Sequence, residues 1–503
     1  MTMKNFRYIL AALLTWTMAA CHSLLETEPT DFYSQDTYWQ TSEQALDALT
    51  GCYQALTHND LYNAQTPFMF EAMSPNAFNY DNQRAANDFA RGVHSATTLG
   101  MNDAMWNGCY RGIGRCNAVI ERVPAISMDE TLKARIVAEA KFLRAFYYHR
   151  LNTLFHGVPL LLAEPNPDEQ GSQPRNTYDE VLAQVVRDLD EAAAVLPVAY
   201  AGADDGRATK GAALALKARA LLQDLDYAGA VAAAEAVFGL DHYELFPDYN
   251  GIFRKANQGN KEVIFDIRFK APEVTNQYDI IMAQYSTQAP VQGLVDAYQM
   301  IDGRSIEESD LYDPQNPYEN RDPRFKQSIV YIGAPWRNRT ATAADLHQTG
   351  YTFWKFTEYN ATTPGTLVNS DCNYLEIRYA DVLLMYAEAL NELSGPTDAV
   401  YEAVNAIRTR PSVDMPELPA GLSKEAMREA IRLERRIELA GEGSYFYDIR
   451  RWGTIEEEMN GPIHDYQGNV IQNRSFNAER DYLWPIPFTE IDLNPALEQN
   501  PNY

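Results

Sequence analysis

The stretch from Ala208 to Leu240 constrains this chain more than any other. Lys210 to Gln223 is an alanine-rich helical pattern, and a short turn at Asp224 to Asp226 leads into a second one. There Tyr227, Ala230, Val231, Ala234 and Phe238 recur on one side at helical spacing. Ala215, Ala218, Ala230 and Ala234 leave room for two backbones to approach closely, so the segment predicts a tight helical hairpin of roughly 34 residues. One such hairpin cannot bury its apolar face alone. The rest of the chain must therefore supply helices for it to stack on.

A comparable hairpin is predicted over Asp381 to Thr409. Val382, Tyr386, Ala389, Leu390 and Leu393 line its first helix, Ser394 to Thr397 turn the chain, and Ala399, Val400, Ala403, Val404 and Ile407 form the facing stripe. Thr41 and Gln44 fit a capping box, followed by Leu46, Leu49, Tyr53 and Leu56 on one face. Further helical stretches run over about 104–123, 130–155 and 177–196, the last with Val181, Val185, Leu189 and Ala192 in register. The paired units resemble tetratricopeptide repeats. The expected fold is mainly α: a tetratricopeptide-like helical repeat scaffold over residues 41–240 and 376–460, with minor β. Between about 241 and 375 the helical period fades, while Gly, Pro, Asn and aromatic residues become frequent. Strands are expected at Glu262 to Phe269 and Gln327 to Ile332. A long irregular region inside a compact body is usually functional, so residues 74–103 and 241–375 form the expected ligand-facing part. No Gly/Ser-rich or Pro-rich linker interrupts residues 41–503, which read as one body.

At the N-terminus, Lys4 and Arg7 precede an apolar run from Ile9 to Trp16, and Met18-Ala19-Ala20 lead to Cys21. The run is well short of the ~20 residues of a spanning helix and has the layout of a secretory signal. Small residues directly before a cysteine suit a lipoprotein signal peptidase. Residues 1–20 are therefore read as a lipoprotein signal peptide, Cys21 as the acylated mature N-terminus, and residues 21–40 as a tether. Cleavage without a lipid is the alternative, because Met18 stands where such sites more often carry Leu. Each buried acyl methylene contributes about 0.8 kcal/mol, so several chains on one cysteine hold a protein to a membrane almost permanently. Loss of Lys4 and Arg7 takes the formal charge from -27 to -29, with 40 basic and 69 acidic residues left. That acidity speaks against a nucleic-acid partner, which needs clustered Lys and Arg. Cys52, Cys109, Cys116 and Cys372 show no CxxC pair and predict no disulfide framework.

The C-terminal third carries an ordered series of motifs. Arg378, Asp381, Tyr386, Glu388, Asn391 and Glu392 are followed by Ala403, Asn405 and Arg408. Then come Glu434-Arg435-Arg436, Glu438, Glu442-Gly443, Phe446, Asp448 and Arg450-Arg451-Trp452. The chain ends with Trp484-Pro485-Ile486-Pro487 and Gln499-Asn500-Pro501-Asn502-Tyr503. With Leu294-Val295-Asp296-Ala297-Tyr298, Asp302-Gly303, Trp39 and the cysteine-terminated signal, the whole chain resembles the SusD/RagB family of outer-membrane nutrient-binding lipoproteins. The resemblance implies four tetratricopeptide-like units and a non-catalytic, cofactor-free protein, lipid-anchored in the outer membrane and facing the cell exterior. Such a protein binds oligosaccharides or polysaccharides and delivers them to a TonB-dependent (SusC-like) outer-membrane transporter. Some branches of the family take peptides, and a structural lid or adaptor on the transporter is a further alternative. Where the family usually has Gly before its final Tyr, this chain has Asn502, which tolerates a left-handed backbone.

Ligand residues in that family vary, so candidates come from the rings of this chain. It holds 31 Tyr, 20 Phe and 7 Trp, many in segments with no helix face to bury them. Phe78, Tyr80, Asn82, Tyr278, Tyr285, Trp336, Asn338 and Trp354 are the candidate ligand residues, with Trp336, Tyr80 and Asn82 leading. A ring stacks on the apolar face of a sugar while an amide bonds its hydroxyls. For any single ring the core is the commoner fate. On the predicted helix from Ser423 to Ala440, Glu434 and Glu438 fall inside the apolar arc. Unpartnered, such carboxylates would be strongly destabilising. A structural ion network with Arg450, Arg451 or Arg378 is expected, not a catalytic pair. No catalytic or metal site is expected either: His149 and His156 lack an HExxH frame, and Asp204-Asp205-Gly206 lacks the further acids of a calcium loop.

Overall fold

A computed structural model of the chain describes residues 38–358 and 370–503; the signal, Cys21 and the tether up to residue 37 lie outside the described residues. The scaffold is built from α1 (Ser42–Gln54), α2 (Met101–Arg122), α3 (Glu130–Phe155), α4 (Tyr178–Val195), α5 (Lys210–Gln223) and α6 (Tyr227–Phe238), then α7 (Tyr379–Ser394), α8 (Asp398–Arg408), α9 (Lys424–Glu438) and α10 (Tyr445–Arg451). Side-chain caps set most of the starts. Thr41 and Thr177 form complete capping boxes with Gln44 and Glu180. Asp129, Thr209, Asp226 and Ser423 each accept a backbone N–H of the first turn. Each such cap contributes about 1 kcal/mol.

The helices stack in chain order, α2 on α3, α3 on α4, α4 on α5, α5 on α6 and α6 on α7, and α7 holds both α8 and α9. This is a mainly α, tetratricopeptide-like arrangement, and the two predicted hairpins are α5–α6 and α7–α8. Ala215, Ala218, Ala230 and Ala234 are all buried, which is what lets α5 and α6 close on each other. Gly112 does the same on α2: a Cβ there would overlap the Tyr147 ring of α3. Tyr147 reaches past it to donate its hydroxyl to the Cys52 carbonyl of α1 at 2.9 Å. One tyrosine thus ties three helices. The apolar stripe of α1 differs from the expected one, with Ala45, Leu49 and Cys52 buried and Leu46 and Tyr53 half-buried. Tyr53 turns its hydroxyl to Glu139 (2.8 Å) and to the Ala208 N–H (2.9 Å), which rotates the helix away from burying that ring.

The irregular region is joined to the scaffold by a strand pair, Val263–Ile267 antiparallel to Tyr374–Arg378. Phe265 from that pair meets Phe142 and Phe146 of α3 edge-on, at 4.9 and 5.9 Å. The second expected strand is shorter than predicted. Asp322 caps a helix over Pro323–Ser328, with proline in its first turn, and only Ile329–Tyr331 is left to pair with Tyr351–Phe353. At the C-terminus the Asn500 amide donates to the Phe155 and Trp484 carbonyls at 3.0 and 2.7 Å. Asn502 has φ 68°, the left-handed conformation its position requires.

A buried ion network locks loops to helices. Glu438 accepts from Arg378 (2.6 Å), Arg410 (2.9 Å) and Arg324 (3.0 Å), and Glu434 accepts from Arg408 (2.9 Å) and Arg324. Of the expected cations, Arg378 is a partner; Arg450 and Arg451 are not. Arg451 lies beside α7 and pairs with Glu388 there and with Asp448 (2.8 Å). Arg450 sits on the Phe446 ring at 3.6 Å and donates to the Phe446 carbonyl.

Candidate functional site

Three loop segments converge at one place. Ala77–Phe78 pairs antiparallel with Ala289–Pro290, and the Asn79 amide donates to the Thr287 carbonyl at 2.9 Å. These bonds bring the chain after Phe78 beside the chain before Ala289, so Tyr80 and Tyr285 leave the pair as neighbours. Tyr285 follows a single π-helical turn, Ile280–Gln284, and its N–H bonds the Ile280 carbonyl at 3.1 Å. Such turns recur at functional sites. The third segment is a hairpin of Pro335–Trp336 and Arg339–Thr340, with the loop behind it tied to the second segment by Ser286 Oγ donating to the Asp345 carbonyl (3.4 Å). From that loop His347 meets the Tyr80 ring edge-on at 5.0 Å.

Backbone strain is concentrated here. Asn82, Arg84, Ala85, Ser286, Arg337 and Asn338 all have positive φ, six of the 13 non-glycine residues so placed among the described residues. Non-glycine residues hold that conformation only where surrounding structure enforces it, and such sites cluster where ligands are gripped. Asn82 shows the enforcement: its Oδ1 accepts the Asn87 N–H at 2.9 Å and its amide reaches Asp88 at 3.3 Å.

Tyr285 is 47% exposed, Tyr80 is half-buried, and His347 is exposed. Burial, then the Asp81 carboxylate and Tyr285, push the Tyr80 hydroxyl above its ordinary range. It stays a neutral donor and acceptor. Asn338 is exposed at the hairpin tip, and Asp81 and Asn82 are exposed beside Tyr80. The surface therefore offers ring faces bordered by amides and a carboxylate, the chemistry that grips a polyhydroxylated ring.

The remaining candidates lie elsewhere or beneath. Trp336 is only 2% exposed, packed with Val330, Ala334, Ala341 and Leu346 and flanked by the Arg337 and Arg339 guanidiniums at 5.1 and 5.5 Å from its ring. Its place as leading stacking residue is corrected: strand alternation turns Pro335 out and Trp336 in, so it forms the floor of the loop. Trp354 joins that small core, half-buried under the Arg254 guanidinium at 5.1 Å. Phe78 is buried with Val291 and Ile463. Tyr278 is 0% exposed; its hydroxyl donates to the Tyr62 carbonyl (2.5 Å) and its ring meets Phe68 and Phe269, so it is a core residue and not a ligand contact. His347 was not predicted. A lone histidine after Leu346 carries no periodic or motif signal, and only the long-range pairing of the three segments brings it to Tyr80. Among the described residues, no group of His, Cys, Asp or Glu could hold a metal ion.

Comparisons with known proteins agree with this architecture. The sequence profile described as SusD family matches residues 252–503, and one described as starch-binding, associating with outer membrane, matches residues 25–222. SusD-like protein P38 of Formosa agariphila is 27% identical, over the full length of both chains. The crystal structure of a SusD-like carbohydrate-binding protein from Bacteroides fragilis is 29% identical, covers 92% of this chain and 100% of its own, and superposes with a TM-score of 0.85. A laminarin-binding SusD-like protein is 26% identical over 92% of this chain and 100% of its own, with a TM-score of 0.72. Among the described residues no helix is long and apolar enough to cross a membrane. From the ordered motifs of its C-terminal half to the stacked helical hairpins, the chain belongs to the SusD family.

Proposed function

We propose that this protein captures an oligosaccharide or polysaccharide outside the cell and hands it, chemically unchanged, to a TonB-dependent (SusC-like) transporter, held at the outer membrane by a lipid on Cys21. The surface ring cluster of half-buried Tyr80 with exposed Tyr285 and His347 carries this reading. Millimolar affinity corresponds to only about 4 kcal/mol, which two stacked rings and a few hydrogen bonds supply. Carbohydrate-binding and laminarin-binding relatives support the ligand class. The two glutamates that could have formed a hydrolytic pair are instead bound to arginines in the core, which supports a non-catalytic role.

Affinity electrophoresis against a panel of polysaccharides tests the proposal. At least one glycan should retard the protein, and Tyr285→Ala or Tyr80→Ala should restore its mobility. Retardation that neither substitution alters would move the site away from these rings. Recovery of a transporter barrel with the protein from detergent extracts tests the second half of the proposal.

A further inference from the structure

The segments that carry Tyr80, Tyr285 and His347 have a fourth neighbour, an antiparallel hairpin of Gly461–His464 and Val470–Arg474. It is fixed to them at three levels. At its base, buried Arg474 donates to the Ala72 carbonyl at 3.0 Å, to the Ala77 carbonyl at 2.6 Å and to the Ser74 carbonyl, and so grips the strand that leads to Tyr80. In its middle, Ile463 and Ile471 pack in one apolar cluster with Phe78, Val291 and Tyr80. At its tip, the Tyr466 N–H donates to the Thr349 carbonyl at 2.9 Å, and the Tyr466 ring takes the space that a Cβ on Gly350 would need. Those two residues belong to the loop that presents His347. The hairpin therefore lies along one edge of the ring cluster, from root to rim.

Its tip is built to hold one shape. Asp465 accepts the backbone N–H groups of Gln467 and Asn469 at 2.8 and 2.9 Å and the Asn469 amide at 3.0 Å. Gly468, with φ 80°, supplies the left-handed residue that closes the turn. A turn fixed by its own side chains loses little conformational entropy when it grips a ligand. What it displays is the half-buried Tyr466 ring with exposed Gln467 and Asn469 next to it. That repeats the pattern at Tyr80 and Asn82, a flat apolar face bordered by amides.

We propose that this tip forms a second sugar subsite: one glycan chain runs from Tyr80 and Tyr285 past His347 to Tyr466, and the protein selects chains long enough to fill both ends. This rests on the glycan-binding function proposed above and assigns its length preference to the hairpin. When one ligand spans two subsites the second contact becomes intramolecular, so affinity rises well beyond that of either subsite alone. Fragments that reach only one subsite forgo that gain.

Calorimetric titration of the folded protein with a size series cut from the polysaccharide that retards it most tests the proposal. Wild-type affinity should climb with fragment length and level off once both subsites are filled. Tyr466→Ala should leave the Kd of the shortest bound fragment unchanged and weaken long fragments by about tenfold. Gln467→Ala, at an exposed position where folding is not at stake, should show the same selectivity for long fragments with a smaller loss. Tyr466→Phe, which keeps the ring, should retain the length dependence. Two results would overturn the proposal: variants that bind every length as tightly as wild type, or variants that weaken short and long fragments by the same factor, which would make the hairpin a prop for the Tyr80 surface. A wild-type protein that binds no glycan of any length would instead remove the function on which the proposal rests.

Discussion

Replacing Glu438 by Gln removes one negative charge from a point where three guanidiniums meet. Its carboxylate accepts from Arg378, Arg410 and Arg324 at 2.6, 2.9 and 3.0 Å, and none of the side chain reaches solvent. Gln preserves the volume and one acceptor, so the loss is almost wholly electrostatic. Removing one side of a buried ion pair costs about 3–5 kcal/mol, because the opposing charges stay buried without compensation. That is a large share of a net stability on the order of 5–15 kcal/mol. Urea unfolding of wild type and Glu438→Gln should show a lower midpoint at unchanged slope. The soluble folded fraction should keep wild-type glycan retention. A destabilisation below about 1 kcal/mol, or selective loss of glycan binding at unchanged stability, would refute the assignment of Glu438 to the scaffold. The double variant Glu438→Gln with Arg410→Met should recover part of the loss, since the two side chains share one interaction.

Trp336→Ala should lower stability by about 3–5 kcal/mol as a buried aromatic, whereas Tyr285→Ala should leave the melting temperature unchanged and weaken glycan binding by roughly tenfold; equal effects of the two in thermal melts would contradict the placement of their rings. Gly112→Ala should cost about 1–3 kcal/mol by forcing the Tyr147 ring off α2, read as a shift in urea midpoint. Acid should destabilise the protein through its buried histidines. Burial holds the His94 imidazole down to about 4, against an unfolded value near 6.5, so between those limits the unfolded chain takes up a proton that the folded one refuses. Stability is complete above about pH 6.5 and falls by about 3 kcal/mol on reaching pH 4, with His149 adding a loss of the same sign. His94→Gln should flatten this dependence in urea melts between pH 7 and 4.5, and an unchanged slope would rule His94 out as its source.

Much of the scaffold was legible because each helix declares itself locally. The α5–α6 turn is announced by Asp224 to Asp226, with Asp226 capping the second helix, and the small residues that permit close packing stand in plain sight. Glu434 and Glu438 were placed correctly inside their apolar arc by a 100° wheel. Their partners were only partly legible, because Arg324, Arg408 and Arg410 arrive from segments whose proximity is set by tertiary packing. The strand expected at Gln327 to Ile332 was shortened by Asp322-Pro323, a helix-start signal that outweighs the β-branched run behind it. At the site, composition revealed aromatic loops but not which face each ring would take. Trp336 turned inward because a two-residue turn at Arg337 and Asn338 fixes the hairpin's register. Tyr80 and Tyr285 became neighbours through a two-residue strand pair more than 200 positions apart in sequence, which no local pattern encodes.

Calorimetric titration of the folded protein with a panel of neutral and charged polysaccharides, run beside a Tyr80→Ala/Tyr285→Ala double variant of matching circular dichroism, reaches the central claim most directly. Saturable heat with at least one glycan, absent from the double variant, is the predicted outcome. A folded protein that binds none of them, or a double variant that binds as tightly as wild type, would contradict it.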